Sequence, residues 1–153
     1  MCIRDRSKTP PFVNLVPGAQ GAAVLTLQHR LQALGYWLGT ANGDYNLDTA
    51  MAVTALQKAA GIQRDGIYGP KTAKALAKGV IPKARSTSGK VIEVSLASQL
   101  VLIVDNGVVE DTLDTSTGGG YTYVEQGQTD IAVTPPGHYQ VYYEVDGLSL
   151  IHI

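Results

Sequence analysis

Apolar positions in the first half of the chain recur with the period of an α-helix. In "GAAVLTLQHRLQALGYW" they form one stripe, made of Val24, Leu27, Leu31 and Leu34. Gly35 follows the last of them, at the position where a left-handed helix end is expected. The pattern predicts an amphipathic helix that ends at this glycine.

A second segment of the same design follows in "DTAMAVTALQKAAGI". Val53 and Leu56 share one helical face, and Gly61 stands at the expected helix end. Both segments contain V-x-x-L-Q, at residues 24–28 and 53–57. The chain therefore repeats a unit made of a helix and a glycine stop.

The turn after each helix is repeated as well, as "NGDYNLDT" at residues 42–49 and "DGIYGPKT" at residues 65–72. Asn-Gly and Asp-Gly are tight-turn dipeptides. Asn46 is expected to cap the second helix, while Gly69 and Pro70 suit the N-cap and the first position of a third. Two different sets of residues can each start a helix after the turn, so we predict that the repeat has a structural role.

After a region without a regular hydrophobic pattern, the apolar residues alternate as they do in β-strands. Residues 79–89 combine Pro, Ser, Thr and Gly and are predicted to be a linker. "KVIEVSL" alternates, with Ile92, Val94 and Leu96 on one face. "QLVLIVDNGVVEDTL" predicts two strands joined at Asn106-Gly107. A later strand is expected in "HYQVYYEV", with one face made of Tyr139, Val141, Tyr143 and Val145.

The predicted fold class is therefore α+β, with a small three-helix N-terminal domain at residues 16–78 and a mostly β region at residues 90–147. The formal net charge is -1, so no basic surface indicates nucleic acid as a partner. No apolar run is long enough to cross a bilayer.

The two ends of the chain have a different character. "MCIRDRS" at residues 1–7 and "LSLIHI" at residues 148–153 resemble translated adapter sequence, and we expect both to be non-native. Cys2, the single cysteine, would then carry no information on redox compartment or catalysis. The absence of a signal peptide would be equally uninformative.

The helical part resembles the small three-helix peptidoglycan-binding domain of bacterial wall enzymes, on the strength of "VLTLQ", "LGY" and "DGIYGPKTAKAL". The sequence departs from that pattern at Asn46 and Leu47, where Gly and Pro are usual, and at Leu56, where Phe is usual. The resemblance implies peptidoglycan as the partner, with glycan or stem peptide in a groove beside the repeated turns. The residues it places there are Asp44, Tyr45, Asp65 and Tyr68.

A structural alternative exists for these residues. Tyr45 and Tyr68 would pack over helix ends, and Asp65 would cap its own turn. Trp37 is expected to be a partly buried aromatic residue before it is a ligand platform. His29 is expected on the surface, because no second ligand stands at metal-binding spacing from it.

The β part resembles the opening portion of the L,D-transpeptidase catalytic domain. The shared fragments occur in the same order and lie at residues 98–100, 116–118 and 132–137. The resemblance implies catalysis by a cysteine thiolate that a histidine activates, in a Ser-His-Gly-Cys type motif, without metal or organic cofactor. The motif is absent from this sequence. Ser116 is expected to be a turn residue, and His138 a loop or strand-start residue.

These patterns predict a fragment of a secreted or envelope-located cell-wall L,D-transpeptidase that is itself inactive. The complete enzyme would cross-link stem peptides. Two alternatives stay open: a non-catalytic wall-binding protein whose β half is a spacer, and another wall hydrolase with the same targeting domain. A Ser-His-Gly-Cys motif downstream would favour the transpeptidase, whereas metal-ligating His and Asp would favour the hydrolase.

Overall fold

The computed structural model describes residues 12–140 of the chain. Three helices come first: α1 (Ala22–Ala33), α2 (Leu47–Ala60) and α3 (Pro70–Ala77). Five strands follow: β1 (Lys90–Ser95), β2 (Leu100–Asp105), β3 (Val108–Asp114), β4 (Gly119–Glu125) and β5 (Gln128–Val133). The predicted α+β class is confirmed. Both ends that we expect to be non-native lie outside these residues.

The described chain forms two compact units. The first contains the three helices and an antiparallel sheet in the order β1-β2-β3, and it extends to Thr117. The second begins at Gly118 and contains the β4-β5 hairpin. Each unit is built on its own hydrogen-bonded sheet.

The helix ends follow the predicted signals. The chain leaves α1 through Gly35, which has a φ of 78°. At the start of α2 the Asn46 side chain accepts a hydrogen bond from the Thr49 N–H at 3.0 Å, and Gly61 ends the helix in the left-handed region. Gly69 is the N-cap of α3 and Pro70 its first residue.

One hydrophobic core joins the helices to the three-stranded sheet. Val24, Leu27 and Leu31 of α1 and Val53 and Leu56 of α2 are all buried. The inner face of β2 completes the same cluster with Leu100, Leu102 and Val104. The helices and this sheet therefore lose much of their apolar burial if they separate.

The predicted hairpin is confirmed between β2 and β3. Asn106 and Gly107 have positive φ values of 48° and 85°, as a two-residue turn of this hand requires. β1 pairs with the other side of β2, with Ile92 opposite Ile103. Ile92 and Val94 do share a face, and this face is exposed: the two residues are 58% and 49% accessible.

A short segment after α1 extends the sheet. The Thr112 N–H of β3 donates to the Gly35 carbonyl at 2.7 Å, and the Trp37 N–H donates to the Thr112 carbonyl at 3.1 Å. Tyr36, between them, is buried and donates its hydroxyl to the Val80 carbonyl at 2.8 Å. Residues 35–37 thus pair in parallel with β3.

The β4-β5 hairpin was not predicted. Its turn consists of Gln126 and Gly127, with φ values of 50° and 78°. At its open end the Gly118 N–H donates to the Thr134 hydroxyl at 2.9 Å. The backbones are so close that a side-chain Cβ on Gly118 would lie 2.5 Å from the Ala132 carbonyl oxygen. Gly118, which ends one fragment of the transpeptidase resemblance, therefore contacts the later fragment at residues 132–137.

The later strand expected around Tyr139 is not seen in residues 138–140, which belong to no strand. Its other apolar positions lie outside the described part of the chain. The Tyr139 hydroxyl donates to the Pro135 carbonyl at 3.0 Å.

Candidate functional site

The first repeated turn is built around the buried side chain of Gln28. Its carbonyl oxygen accepts the N–H groups of Asn42 and Gly43, at 3.0 and 2.8 Å. Its amide nitrogen donates to the Asp44 carbonyl at 2.9 Å and to the Thr49 hydroxyl at 2.8 Å. One side chain therefore satisfies the backbone of the turn and holds the start of α2.

The second repeated turn has the same arrangement around Gln57. Its carbonyl oxygen accepts the N–H groups of Asp65 and Gly66, both at 3.0 Å. Its amide nitrogen donates to the Ile67 carbonyl and the Thr72 hydroxyl, each at 3.1 Å. It also donates to the Asp65 carboxylate at 2.7 Å.

These two glutamines explain why the turn occurs twice. Gln28 and Gln57 are 0% and 1% exposed, and a buried amide is tolerated only where its donors and acceptor are all paired. The repeated Asn-Gly or Asp-Gly turn and the closing threonine supply those partners. Both residues belong to the V-x-x-L-Q pattern, which does not by itself predict this role. The available signal was a glutamine at the same place beside an apolar stripe in both copies.

The two turns lie side by side. The segment before α1 pairs with both, through Leu15 opposite Tyr68 and Gln20 opposite Asp44. The Tyr45 hydroxyl of the first turn donates to the Gly66 carbonyl of the second at 2.7 Å. The repeated turns therefore form one continuous surface region, which we call the double-turn surface: residues 42–45 and 65–68.

Of the candidate ligand-binding residues, Tyr45 is buried and its hydroxyl is hydrogen-bonded within the protein. It is 2% exposed, so its ring has little surface to offer a ligand. Burial, followed by the nearby negative charge of Asp65, raises the pKa of the Tyr45 hydroxyl above its ordinary value. The hydroxyl is therefore held neutral and serves as the donor between the turns.

Asp65 is exposed and stabilises its own turn. Its carboxylate accepts the Ile67 N–H at 3.0 Å in addition to the Gln57 amide. These two donors, the Ile67 N–H first, lower the pKa of the Asp65 carboxyl below its ordinary value. This geometry matches the structural alternative, in which Asp65 caps its turn.

Asp44 and Tyr68 are the candidates with accessible polar or aromatic surface. Asp44 is exposed, and its carboxylate has no hydrogen-bond or ion-pair partner among residues 12–140. Tyr68 is half-buried, with its ring centroid 5.7 Å from that of Phe12. A carboxylate and an aromatic ring are the groups that recognise amide or sugar hydroxyl donors and apolar ring faces.

The lowered pKa of Asp65 predicts part of the acid sensitivity of the first unit. A carboxyl whose folded pKa is depressed stabilises the fold above its unfolded pKa, and that contribution is lost as the pH falls through the folded pKa. Between pH 6 and pH 3, Asp65→Asn is therefore expected to lose less unfolding free energy than the wild type. Urea unfolding followed by the fluorescence of Trp37, the single tryptophan, measures this. Asp44→Asn is the control; an equal loss in Asp65→Asn and wild type would refute the assignment.

Other residues singled out in the sequence are placed away from any cluster. Trp37 is 47% exposed, and His29 is exposed on α1. Ser116 and His138 lie in exposed segments without regular structure. Across residues 12–140, no group of three or more His, Cys, Asp or Glu side chains converges as metal ligands would. No helix in that range has the length and apolar content needed to span a membrane.

Residues 20–76, which include all three helices up to Leu76 and both repeated turns, match the family described as "Putative peptidoglycan binding domain". Residues 20–76 form a domain of this family. The double-turn surface lies wholly within it. The resemblance inferred from "VLTLQ" and "DGIYGPKT" is thereby confirmed.

A solved structure accounts for more of the chain than the peptidoglycan-binding domain alone. The L,D-transpeptidase of Xylanimonas cellulosilytica superposes with a TM-score of 0.79 at 46% identity. The match covers 84% of this chain and 63% of that one. The predicted likeness of the β part to an L,D-transpeptidase is confirmed.

Curated relatives match a smaller part. The N-acetylmuramoyl-L-alanine amidase CwlL of Bacillus licheniformis is 52% identical over 79 residues, which is 50% of this chain and 22% of the relative. The amidase CwlM of Mycobacterium tuberculosis is 43% identical over 56 residues, 37% of this chain and 14% of the relative. The chain thus spans about a fifth or less of the length of these amidases.

Proposed function

We propose that this chain is part of a bacterial cell-wall L,D-transpeptidase whose peptidoglycan-binding domain holds the enzyme on the wall. The observation that carries the proposal is the 46% identity to an L,D-transpeptidase across 84% of the chain. The amidase CwlL reaches only 50% of the chain, so the shared part with amidases is smaller. This difference favours a transpeptidase over a wall hydrolase with the same targeting domain.

The proposed activity of the whole protein is the cross-linking of stem peptides. In that reaction a cysteine thiolate attacks a peptide carbonyl of one stem peptide, which breaks the amide bond and releases the part beyond it as an amine. The amine of a second stem peptide then attacks the thioester, forms the new amide bond and frees the thiolate. Residues 12–140 contain no cysteine, so the proposal assigns them to binding and to the framework of the sheet. Holding the enzyme on its polymeric substrate raises the effective substrate concentration. The proposed location is the cell envelope, after secretion.

Reading the source gene beyond Gly147 tests the catalytic part of this proposal. A Ser-His-Gly-Cys type motif in the same frame would support the transpeptidase. Metal-ligating His and Asp residues in its place would contradict it and favour a hydrolase. A native stop without either would favour a non-catalytic wall-binding protein.

The ligand is proposed to contact the double-turn surface through Asp44 and Tyr68. Asp44→Asn removes the negative charge and leaves the fold intact, because the carboxylate has no partner within the described chain. Losing one hydrogen bond to a charged group is expected to weaken binding about tenfold. Co-sedimentation of the full chain with purified sacculi, over a range of sacculus concentrations, measures this.

Glu125→Gln is the matched control, since it removes the same charge from an exposed position on β4. It should pellet as the wild type does. Equal pelleting of Asp44→Asn and wild type would exclude Asp44 from the ligand contact. Failure of the wild type to pellet would contradict wall binding itself.

A further inference from the structure

A lysine of α2 is buried where the helices meet the three-stranded sheet. The side chain of Lys58 is 6% exposed, although a lysine near the end of a surface helix normally extends into water. Its ammonium lies 2.6 Å from the Asp114 carboxylate, which is 18% exposed. It also donates to the carbonyl oxygens of Thr115 at 2.7 Å and Gln99 at 3.1 Å. Two carbonyl oxygens thus accept hydrogen bonds from the ammonium, and the Asp114 carboxylate forms an ion pair with it.

The three oxygens all come from the β part of the chain. Gln99 immediately precedes β2, Asp114 is the last residue of β3, and Thr115 follows it. Gln99 adopts a φ of 56°, in the left-handed region that non-glycine residues rarely occupy. The Gln99 carbonyl also accepts the Thr115 N–H, at 3.3 Å. A strained residue is thus retained at the place where its carbonyl contacts the ammonium.

A second contact crosses the same junction through backbone atoms. β3 pairs with the segment after α1 through the Thr112 N–H and the Trp37 N–H. Gly35 lies so close to β3 that an added Cβ would stand 2.7 Å from the Glu110 carbonyl oxygen. The junction therefore combines a buried ion pair, backbone hydrogen bonds and the shared apolar core.

We propose that Lys58 locks the peptidoglycan-binding domain to the three-stranded sheet as one rigid body. Two domains joined only by residues 79–89 would reorient freely, whereas a buried ammonium loses its partners in any other arrangement. The locked junction gives wall binding a second effect: it fixes the orientation of the sheet relative to bound peptidoglycan as well as its distance. This functional meaning rests on the proposed wall binding, but the lock itself does not.

Amide hydrogen exchange in the full chain, read residue by residue by NMR, tests the lock. Lys58→Met keeps the length and apolar stem of the side chain and removes the ammonium. Because breaking a buried pair strongly favours local opening, exchange at the junction amides of Trp37 and Thr112 should accelerate at least about tenfold. Exchange within α1 and within the two glutamine-held turns should change much less. Lys74→Met, at an exposed position on α3, is the control and should leave both groups unchanged.

Two results would overturn the proposal. One is unchanged exchange at Trp37 and Thr112 in Lys58→Met. The other is an equal acceleration of all protected amides of the first unit, which would show that Lys58 only supports global stability. Asp114→Asn removes the charge of the partner while keeping its shape, and it should show the same selective pattern to a smaller degree. If Lys58→Met does not fold, the pattern in Asp114→Asn decides. None of these readouts requires peptidoglycan binding.

Discussion

Replacing Gln57 with leucine is expected to destabilise the first unit by about 3 to 4 kcal/mol. Leucine has a similar volume but cannot accept the N–H groups of Asp65 and Gly66. It also removes the amide donor from the Thr72 hydroxyl and from the Ile67 carbonyl, which then keeps only the Thr72 hydroxyl as a donor, at 3.2 Å. Each buried group left unpaired costs about 1 to 3 kcal/mol, and the apolar gain of leucine offsets only part of this.

Urea unfolding of the full chain, followed by Trp37 fluorescence, gives this free energy. Gln63→Leu is the matched control, because Gln63 is exposed after the end of α2 and is expected to change stability by less than about 0.5 kcal/mol. Gln28→Leu should behave like Gln57→Leu, since Gln28 makes the equivalent contacts in the first turn. A loss below about 1 kcal/mol for Gln57→Leu would show that the turns do not depend on the buried amide.

Gly35→Ala is expected to cost about 3 kcal/mol, for two reasons that can be separated. The residue has a φ of 78°, which alanine adopts only with strain of about 1 to 2 kcal/mol. The new Cβ would also lie 2.7 Å from the Glu110 carbonyl oxygen, so β3 must move away. The movement would strain the backbone pairing of Thr112 with this segment.

Gly61→Ala isolates the first reason. Gly61 ends α2 with a similar φ of 65°, but no atom lies within 4 Å of the position its Cβ would occupy. Its expected cost is therefore only the conformational strain, about 1 to 2 kcal/mol. The same unfolding measurement compares the two variants. Equal losses of unfolding free energy in the two variants would mean that the close approach of Gly35 to β3 does not affect stability.

Features encoded locally could be predicted from the sequence. The helix ends at Gly35 and Gly61, the cap at Asn46 and the hairpin at Asn106-Gly107 each depend on the backbone preferences of one or two residues. These preferences act without knowledge of the rest of the fold. For the same reason the repeated turn could be recognised as a structural unit before its partners were known.

Features set by long-range packing could not be predicted in this way. The burial of Lys58 depends on oxygens that are 41 to 57 residues away in sequence. The alternation of Ile92 and Val94 identifies a common face of β1 but does not say whether that face is buried, and in the structure it is exposed. The β4-β5 hairpin was missed because Gln126-Gly127 is a weak turn signal and β4 begins with two glycines, which are depleted in strands.

The candidate site shows both cases. Its proposed position, at the repeated turns, was inferred from the sequence and stays a prediction. Which residues of the site are accessible to a ligand could not be predicted, because the adjacent residues Asp44 and Tyr45 differ: Asp44 is exposed and Tyr45 is buried. Which of them faces solvent depends on how the two turns pack together, through the bond from the Tyr45 hydroxyl to Gly66.

The most direct test of wall recognition by the double-turn surface is an NMR titration of the isotope-labelled full chain with soluble muropeptides released from sacculi. We expect the largest amide shift changes at residues 42–45 and 65–68, with the amides of β1 to β5 much less affected. Saturating muropeptide that leaves those two turns unchanged, or that shifts only the amides of the sheets, would contradict the proposed site.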